Sequence, residues 1–153
     1  MVTETMVPEQ ITREVTIAAP PARVWSALTE AEHLGSWFAD AGAEVDLRAG
    51  GTATLRWQEH GAVQLAIQEV APQRFFSYRW LHAADQEPRP DNSTLVEFTL
   101  TPQGEATRLR VVESGFRNLS IPAEQQRHRV EENTQGWQQE LEELRLYAQQ
   151  LAA

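Results

Sequence analysis

The chain has 153 residues, no cysteine and a formal net charge of −9 at pH 7. Such a length suits one domain with a sizeable core, and the lack of cysteine excludes disulfides, thiolate metal sites and a cysteine nucleophile. The acidic balance, with 13 basic residues spread along the chain, disfavours nucleic acid and anionic membranes as partners.

The first residues lack both a basic segment and an apolar stretch, so no signal peptide is visible. No apolar run approaches the ~20 residues that span a bilayer. We therefore expect a cytoplasmic protein without membrane insertion. Residues 1–9 are expected to form a disordered tail and residues 10–153 a single domain, because no linker, repeat or low-complexity segment divides the chain.

The N-terminal part of the domain predicts one strand followed by two short helices. Residues 10–18 alternate apolar and polar side chains, which is typical of a half-buried strand. Pro20–Pro21 ends this strand and opens a helix, since proline is tolerated in the first helical turn. Thr29 is the expected N-cap of a second helix that ends at residues 37–38.

From residue 43 onward the apolar pattern has a period of two. Short connections rich in Gly, Pro, Asn and Asp separate the segments, which favours an antiparallel meander. The exception is the polar segment 83–93, which is long enough to be a mobile loop. The predicted strands cover residues 43–47, 52–58, 62–70, 75–82, 94–101 and 107–116.

The last element is predicted to be a helix of about 30 residues that starts at Pro122. Apolar residues recur at a spacing of three and four, so they form one stripe that needs an extended partner, and the sheet is the only candidate. The stripe consists of Val130, Thr134, Trp137, Leu141, Leu144, Ala148 and Leu151. Solvating charges are expected on the opposite side, at Glu131, Glu132, Glu140, Glu142, Glu143 and Arg145.

The more hydrophobic phase of the strands is expected to face this helix. Large rings on a concave sheet, opposed by Trp137, are difficult to close-pack, although aromatic stripes are more often plain core. We expect a cavity at or below the low end of the ~300–1,000 Å³ typical of ligand pockets. The inward set is Leu55, Trp57, Val63, Leu65, Ile67, Phe76, Tyr78, Trp80, Val96, Phe98, Leu100, Leu109 and Val111.

Two polar residues continue the inward phase. Glu113 follows Leu109 and Val111, and His82 follows Tyr78 and Trp80. A carboxylate in an apolar interior is costly unless it is paired or hydrated. Both residues lie near strand ends, so they are either solvated there or act as polar anchors in a pocket.

Smaller motifs carry local predictions. His33 and Trp37 are four apart on one helical face, so His33 lies either at the cavity mouth or in structural packing. Gly50–Gly51 predicts a turn with positive φ.

Taken in order, several segments resemble one family. Residues 19–29 are similar to an "AP-x-x-x-VW-x-ALT" opening, and residues 32–38 to "EHL-x-x-WW" with Phe38 in the second aromatic place. The remaining matches are Arg48–Gly51 with "R-x-GG", Val70–Trp80 with "V-x-P-x-x-x-L-x-Y-x-W", Thr107–Leu109 with Gly115–Phe116, and Gly136–Trp137 with Leu141 and Leu144. This set resembles the SRPBCC/START-like superfamily, in the branch related to the C-terminal domain of the activator of the heat-shock protein 90 ATPase.

The resemblance implies an α+β helix-grip fold, in which a curved antiparallel sheet wraps around the long C-terminal helix and leaves a cavity. Members of the superfamily bind lipids, polyketides or other hydrophobic molecules, and some branches are cyclases or aromatases. The resemblance also implies that the segment with His33 mainly builds a corner between helices, so that His33 has a packing role. Many relatives carry His where this sequence has Glu113. Bacterial relatives mostly consist of this domain alone, so a chaperone partner does not follow automatically.

Three functions stay open from the sequence. The leading one is binding of a small hydrophobic or aromatic molecule, the second is a cyclase-like or hydrolytic enzyme, and the third is a co-chaperone-like module that uses the outer sheet face and residues 83–93. Candidates for acid–base catalysis are Glu113, Tyr78 and His82. The expected ligand-binding residues are Trp37, Trp57, Leu65, Phe76, Tyr78, Trp80, Phe98, Glu113, Trp137 and Leu141.

Neither a cofactor nor a metal is expected. No glycine-rich phosphate loop, dinucleotide fingerprint or nucleophile elbow occurs in the chain. The four histidines fall in four different predicted elements without ligand-type spacing.

Overall fold

The structure is a computed structural model that describes residues 6–59, 61–81 and 87–152. These residues form seven strands and three α-helices. The helices are α1 (Pro21–Thr29), α2 (Ala31–Trp37) and α3 (Ala123–Ala152), and a 3-10 turn covers Phe116–Asn118. The strands are β1 (Gln10–Ile17), β2 (Ala43–Val45), β3 (Thr52–Trp57), β4 (Gly61–Ala71), β5 (Phe75–Leu81), β6 (Ser93–Gln103) and β7 (Ala106–Ser114).

The strands form one antiparallel sheet in the order β1-β7-β6-β5-β4-β3-β2. Strands β2 to β7 follow one another as a meander, while β1 pairs with β7 at the far edge. A register shift between Ile67 and Glu69 marks a bulge in β4, which increases the local twist. The sheet curves around α3, so the predicted α+β helix-grip fold is confirmed.

The core lies between the concave sheet face and the helices. Along β7, Leu109, Val111 and Glu113 are buried, whereas Arg108 and Arg110 are exposed. This alternation follows from the period of two in a strand, which sends every second side chain to the same face. The inward phase predicted for β7 is therefore confirmed, and it carries Glu113 into the interior.

The long helix α3 packs mainly against β1 and α1. The interior side of its apolar stripe is buried at Trp137, Leu141, Leu144 and Ala148. Thr134 is half-buried, and its hydroxyl donates a hydrogen bond of 2.6 Å to the carbonyl oxygen of Val130 in the previous turn.

The junction between α1 and α2 differs from the prediction. Thr29 is the last residue of α1 and not an N-cap, and its hydroxyl donates a 2.7 Å hydrogen bond to the carbonyl oxygen of Trp25. Glu30 has extended backbone angles and separates the two helices without a side-chain cap. Because an N-cap residue has a non-helical backbone, the position falls on Glu30 and not on Thr29, which still belongs to α1.

Ordered contacts begin before β1. Val7 is 7% exposed, and its carbonyl oxygen accepts a 2.6 Å hydrogen bond from Nε of Arg117. Of the predicted tail, residues 1–5 lie outside the described residues, whereas Val7 belongs to the core.

The turn before β3 needs both of its glycines, for different reasons. Gly50 has a φ of +85°, as predicted. At Gly51 a Cβ atom would lie 2.1 Å from the carbonyl oxygen of Asp46, which no side chain could tolerate.

Candidate functional site

A cleft of about 440 Å³ opens between α3, the end of α2 and strands β5 and β7. Its volume lies in the lower half of the ~300–1,000 Å³ range of ligand pockets, somewhat above the size predicted from the sequence. The lining residues are Phe38, Trp80, Glu113, Arg129, Glu132, Asn133, Gly136, Trp137 and Glu140.

Helix α3 supplies one complete side of the cleft. Its lining residues recur at intervals of three and four, so they occupy one face over three helical turns. Gly136 stands in the middle of this face, and a Cβ atom placed there would meet no atom within 4 Å. The prediction that Glu132 and Glu140 belong to a wet face is therefore wrong for Glu140, which is half-buried at the cleft.

Glu113 lies at the inner end of the cleft, where it is 2% exposed. Its Oε1 accepts hydrogen bonds of 2.8 Å from Trp137 Nε1 and 3.1 Å from Asn133 Nδ2. Its Oε2 accepts bonds of 2.6 Å from the Thr94 hydroxyl and 3.2 Å from Asn133 Nδ2. The carboxyl group thus joins β6, β7 and α3.

Burial and hydrogen bonding act on Glu113 in opposite directions. Burial raises the pKa of its carboxyl group, because an ionised form is poorly solvated in the interior. The hydrogen bonds from Thr94, Trp137 and Asn133 lower it, and burial has the larger effect. The result is a buried acid at the cleft with a raised pKa and both oxygens already engaged by the protein.

Aromatic rings form the apolar wall of the cleft. The ring centroid of Phe38 lies 6.1 Å from that of Trp80 and 6.4 Å from that of Trp137. Behind Phe38, the Trp37 ring stacks at 4.9 Å and the Trp57 ring packs edge-on at 5.5 Å. Trp37 and Trp57 therefore support the wall without lining the cleft.

The N–H groups of these two supporting tryptophans are also occupied. Trp57 Nε1 donates a 3.0 Å hydrogen bond to the carbonyl oxygen of Phe38, and Trp37 Nε1 donates one of 2.7 Å to that of Ala27. Because both bonds go to backbone, they fix the position of Phe38 relative to α1 and β3.

Other residues predicted to bind ligand fill the core instead. Phe76, Tyr78 and Phe98 pack against one another with ring centroids 5.5 to 6.4 Å apart. The space left beside them is about 10 Å³, which is at the lower limit for a single ordered water molecule. Leu65 borders the same small void, and Leu141 is 4% exposed in the core. Close packing of rings thus closes most of the predicted cavity and leaves the cleft at one end.

Of the three catalytic candidates, the two that the structure describes lie in different surroundings. Glu113 lies at the cleft, while Tyr78 is buried in the packed core away from its lining. Burial, and secondarily the charge of Glu113, raises the pKa of the Tyr78 phenol, which favours its protonated form. His82 lies outside the described residues.

Glu140, like Arg129 and Asn133, is a polar lining residue that the sequence did not single out. Its Oε1 is buried and has no hydrogen-bond partner in the described part of the chain. Burial, followed by the charge of Glu143 and a hydrogen bond with Glu143, raises the pKa of Glu140 to about 8. The sequence feature that could have identified Glu140 as a lining residue is its spacing from Gly136. The two residues are one helical turn apart and therefore share a helical face.

His33 belongs to a different contact. Its Nδ1 shares a 2.6 Å hydrogen bond with the hydroxyl of Tyr147, and the two rings pack edge-on at 5.6 Å. The predicted packing role at a helix corner is therefore confirmed. Across residues 6–59, 61–81 and 87–152, no three His, Asp or Glu side chains are grouped so that they could hold a metal ion.

Residues 18–149 match the sequence model of the family described as activator of Hsp90 ATPase homolog 1-like protein. The chain belongs to this family. The match covers α1, α2, all strands after β1 and nearly all of α3, so it includes every residue that lines the cleft. A comparison with curated proteins found no match.

Solved structures share the fold over most of the chain. Protein MLL2253 from Mesorhizobium loti is 28% identical, with a TM-score of 0.74 over 90% of this chain and 95% of that one. CalU16 from Micromonospora echinospora is 23% identical, with a TM-score of 0.68 over 91% of this chain and 75% of that one. Aha1 from Colwellia psychrerythraea, determined as a dimer, is 21% identical, with a TM-score of 0.67 over 89% and 92%.

Proposed function

We propose that the chain binds a small apolar or aromatic molecule in the cleft beside α3. The observation that carries this proposal is an open volume of about 440 Å³ next to the rings of Phe38, Trp80 and Trp137. A space that size holds on the order of a dozen water molecules at ~30 Å³ each, whereas the neighbouring core is closed to about 10 Å³.

The lining combines the two properties that ligand pockets need. The rings offer apolar surface, whose burial is worth roughly 25 cal/mol per Å². Four of the five polar lining residues lie on one face of α3, which can fix the orientation of a bound molecule. The rings are held by contacts with Trp37 and Trp57, so a ligand would meet a largely preformed wall.

The test uses the indole N–H signals of the tryptophans as reporters. We would titrate the full chain with flavonoids, fatty acids and aromatic polyketide-like compounds and follow the amide and indole spectrum by NMR. Binding in the cleft shifts the signals of Trp80 and Trp137. Trp25, whose ring packs against Phe76 on the α1 side, is the internal control and stays unchanged.

Two results would overturn the proposal. One is that no compound in the panel shifts Trp80 or Trp137. The other is that every shift is matched at Trp25, because a uniform response indicates non-specific association and not occupancy of the cleft.

One observation favours acid–base catalysis as a second candidate. Glu113 is a buried acid with a raised pKa at the cleft, a combination found at catalytic sites. Its oxygens already accept four hydrogen bonds, which favours a structural role instead. Turnover of a bound compound that is lost in Glu113→Gln, with binding retained, would support an enzyme. Retained turnover in that variant would reject Glu113 as the acid or base.

A co-chaperone role has weaker support from the surface. Among the described residues, the exposed large hydrophobic side chains are Met6, Leu47 and Leu146, which belong to three separate segments.

None of the described helices is long and apolar enough to cross a membrane.

A further inference from the structure

Most polar groups at the inner end of the cleft are satisfied by one another. Both oxygens of Glu113 accept bonds from Trp137, Asn133 and Thr94. In turn, the Trp137 indole and the Asn133 amide donate hydrogen bonds to Glu113. A ligand that used Glu113 as its anchor would have to displace a bond that the protein already makes.

Glu140 differs from Glu113 in this respect. Its Oε1 is buried yet unpartnered within the described residues. A buried acceptor without a hydrogen bond destabilises the folded state, and native proteins contain few of them. Glu140 lines the cleft, so a rotation of its half-buried side chain would bring this oxygen to a donor on an occupant.

The absence of a side chain at Gly136 leaves free space on the face of α3 that also carries Glu140. The two residues are one helical turn apart on the lining face, and a Cβ atom at Gly136 would find empty space for 4 Å. Glycine in a helix interior is less favourable than alanine. With no side chain there, a flat molecule can lie against the backbone of α3 and extend from Trp80 to Glu140.

We propose that Glu140 determines the specificity of the cleft by accepting a hydrogen bond from a hydroxyl or amino group on an aromatic ligand. This inference rests on the binding function proposed above. A ligand with a carboxylate at this position, such as a fatty acid, is disfavoured, because a carboxylate brings no hydrogen-bond donor to Glu140.

The test compares three probes that share one ring system. These are 2-naphthol, 2-methylnaphthalene and 2-naphthoate, which place a hydroxyl, a methyl or a carboxylate at the same position. Affinities are measured by NMR titration for the unaltered chain and for Glu140→Leu, Glu140→Gln and Glu131→Leu. Glu131 is exposed and nine positions before Glu140, which places it on the opposite side of α3.

In the unaltered chain, 2-naphthoate binds most weakly. Glu140→Leu lowers the ratio of naphthol to methylnaphthalene affinity about tenfold, as expected for one hydrogen bond of about 1.4 kcal/mol. Glu140→Gln retains part of the preference, because the amide oxygen still accepts, and Glu131→Leu leaves the ratio unchanged. Circular dichroism confirms that each variant is folded.

The possible failures are distinguishable. If methylnaphthalene binds but the naphthol ratio survives Glu140→Leu, the role of Glu140 is rejected and the binding function stands. If none of the probes and no compound of the wider panel binds, both proposals are rejected.

Discussion

The indole Nε1–H of Trp137 donates a 2.8 Å hydrogen bond to Oε1 of Glu113, and this bond ties the long helix to the sheet in the protein interior. Trp137 is 7% exposed and Glu113 is 2% exposed. The same carboxyl group also receives the Thr94 hydroxyl and the Asn133 amide. One acidic side chain therefore satisfies three donors from two different elements, β6 and α3.

Replacing this carboxyl group is expected to destabilise the fold strongly. In Glu113→Leu the donors of Trp137, Thr94 and Asn133 lose their acceptor, and each unsatisfied buried group costs roughly 1–3 kcal/mol. We expect the free energy of unfolding to fall by about 3 kcal/mol, because Asn133 is half-buried and can turn to solvent. Urea denaturation measures the change.

The matched control for this variant is Arg108→Leu, on the same strand but on its exposed outer face. A surface substitution of that kind changes stability by less than about 0.5 kcal/mol. Equal stability of Glu113→Leu and the unaltered chain would show that the hydrogen bonds to Glu113 contribute little.

The sequence predicted the fold well because burial follows simple periods. Alternation in β7 placed Leu109 and Val111 inward and carried Glu113 with them. A spacing of three and four placed Trp137 on the buried side of α3. Those periods are properties of the backbone, and they do not depend on which residues meet across the interior.

The limits of the cleft could not be predicted in the same way. Whether Phe76 and Tyr78 border open space or fill it depends on how rings pack in three dimensions, and here they fill it. Glu140 was placed with the solvated charges, because a periodic pattern does not show where a helix edge stands beside a cleft. The end of α2 was likewise predicted, but not the position of the Phe38 ring in the wall.

The contact between α2 and α3 gives a prediction independent of the cleft. Tyr147→Phe removes the hydroxyl that shares a 2.6 Å hydrogen bond with His33. We expect a loss of about 1 kcal/mol in the free energy of unfolding, with ligand affinity unchanged, since neither residue lines the cleft. Leu146→Ala, at the exposed neighbouring position, is the control for a general effect on the helix. An unchanged stability of Tyr147→Phe would contradict the prediction.

Glu140 gives a pH dependence with a definite sign. Burial and Glu143 raise its pKa in the folded chain to about 8, from 4.5 in the absence of these effects. The folded state therefore holds a proton that the unfolded state releases, so stability is fully present below pH 4.5 and falls as the pH rises toward 8. Glu140→Gln removes this loss, because an amide does not ionise.

We expect Glu140→Gln to melt at the same temperature as the unaltered chain in acid and about 2–4 °C higher at pH 8.5. That corresponds to about 1 kcal/mol, a value kept small because the half-buried carboxyl group is partly screened by solvent. Melting temperatures are measured from pH 4 to 9. Glu142→Gln is the contrasting control. Arg145 lowers the pKa of Glu142, so this substitution should lower the melting temperature at high pH instead of raising it. If the melting temperatures of Glu140→Gln and the unaltered chain differ by the same amount at every pH, the raised pKa of Glu140 is contradicted.

Gly136 gives the most direct test of the cleft, because stability and binding should change in opposite directions there. Its backbone is helical and a Cβ atom would meet nothing within 4 Å. Gly136→Ala is therefore expected to raise the free energy of unfolding by about 0.5–1 kcal/mol. Gly136→Leu gains the same helix propensity but projects its side chain into the cleft, so it should weaken ligand binding at least tenfold while the chain remains folded.

A control for the stability effect is Gly104→Ala, at a turn with a φ of +62°, where a side chain is strained and the same exchange should destabilise the chain. Denaturation curves and the NMR titration together separate the outcomes. If Gly136→Leu is stable and still binds the panel as the unaltered chain does, the ligand lies elsewhere and the cleft is not the site. If it is stable and binding is lost, the glycine is kept in the helix at an energetic cost because the ligand needs the space beside it.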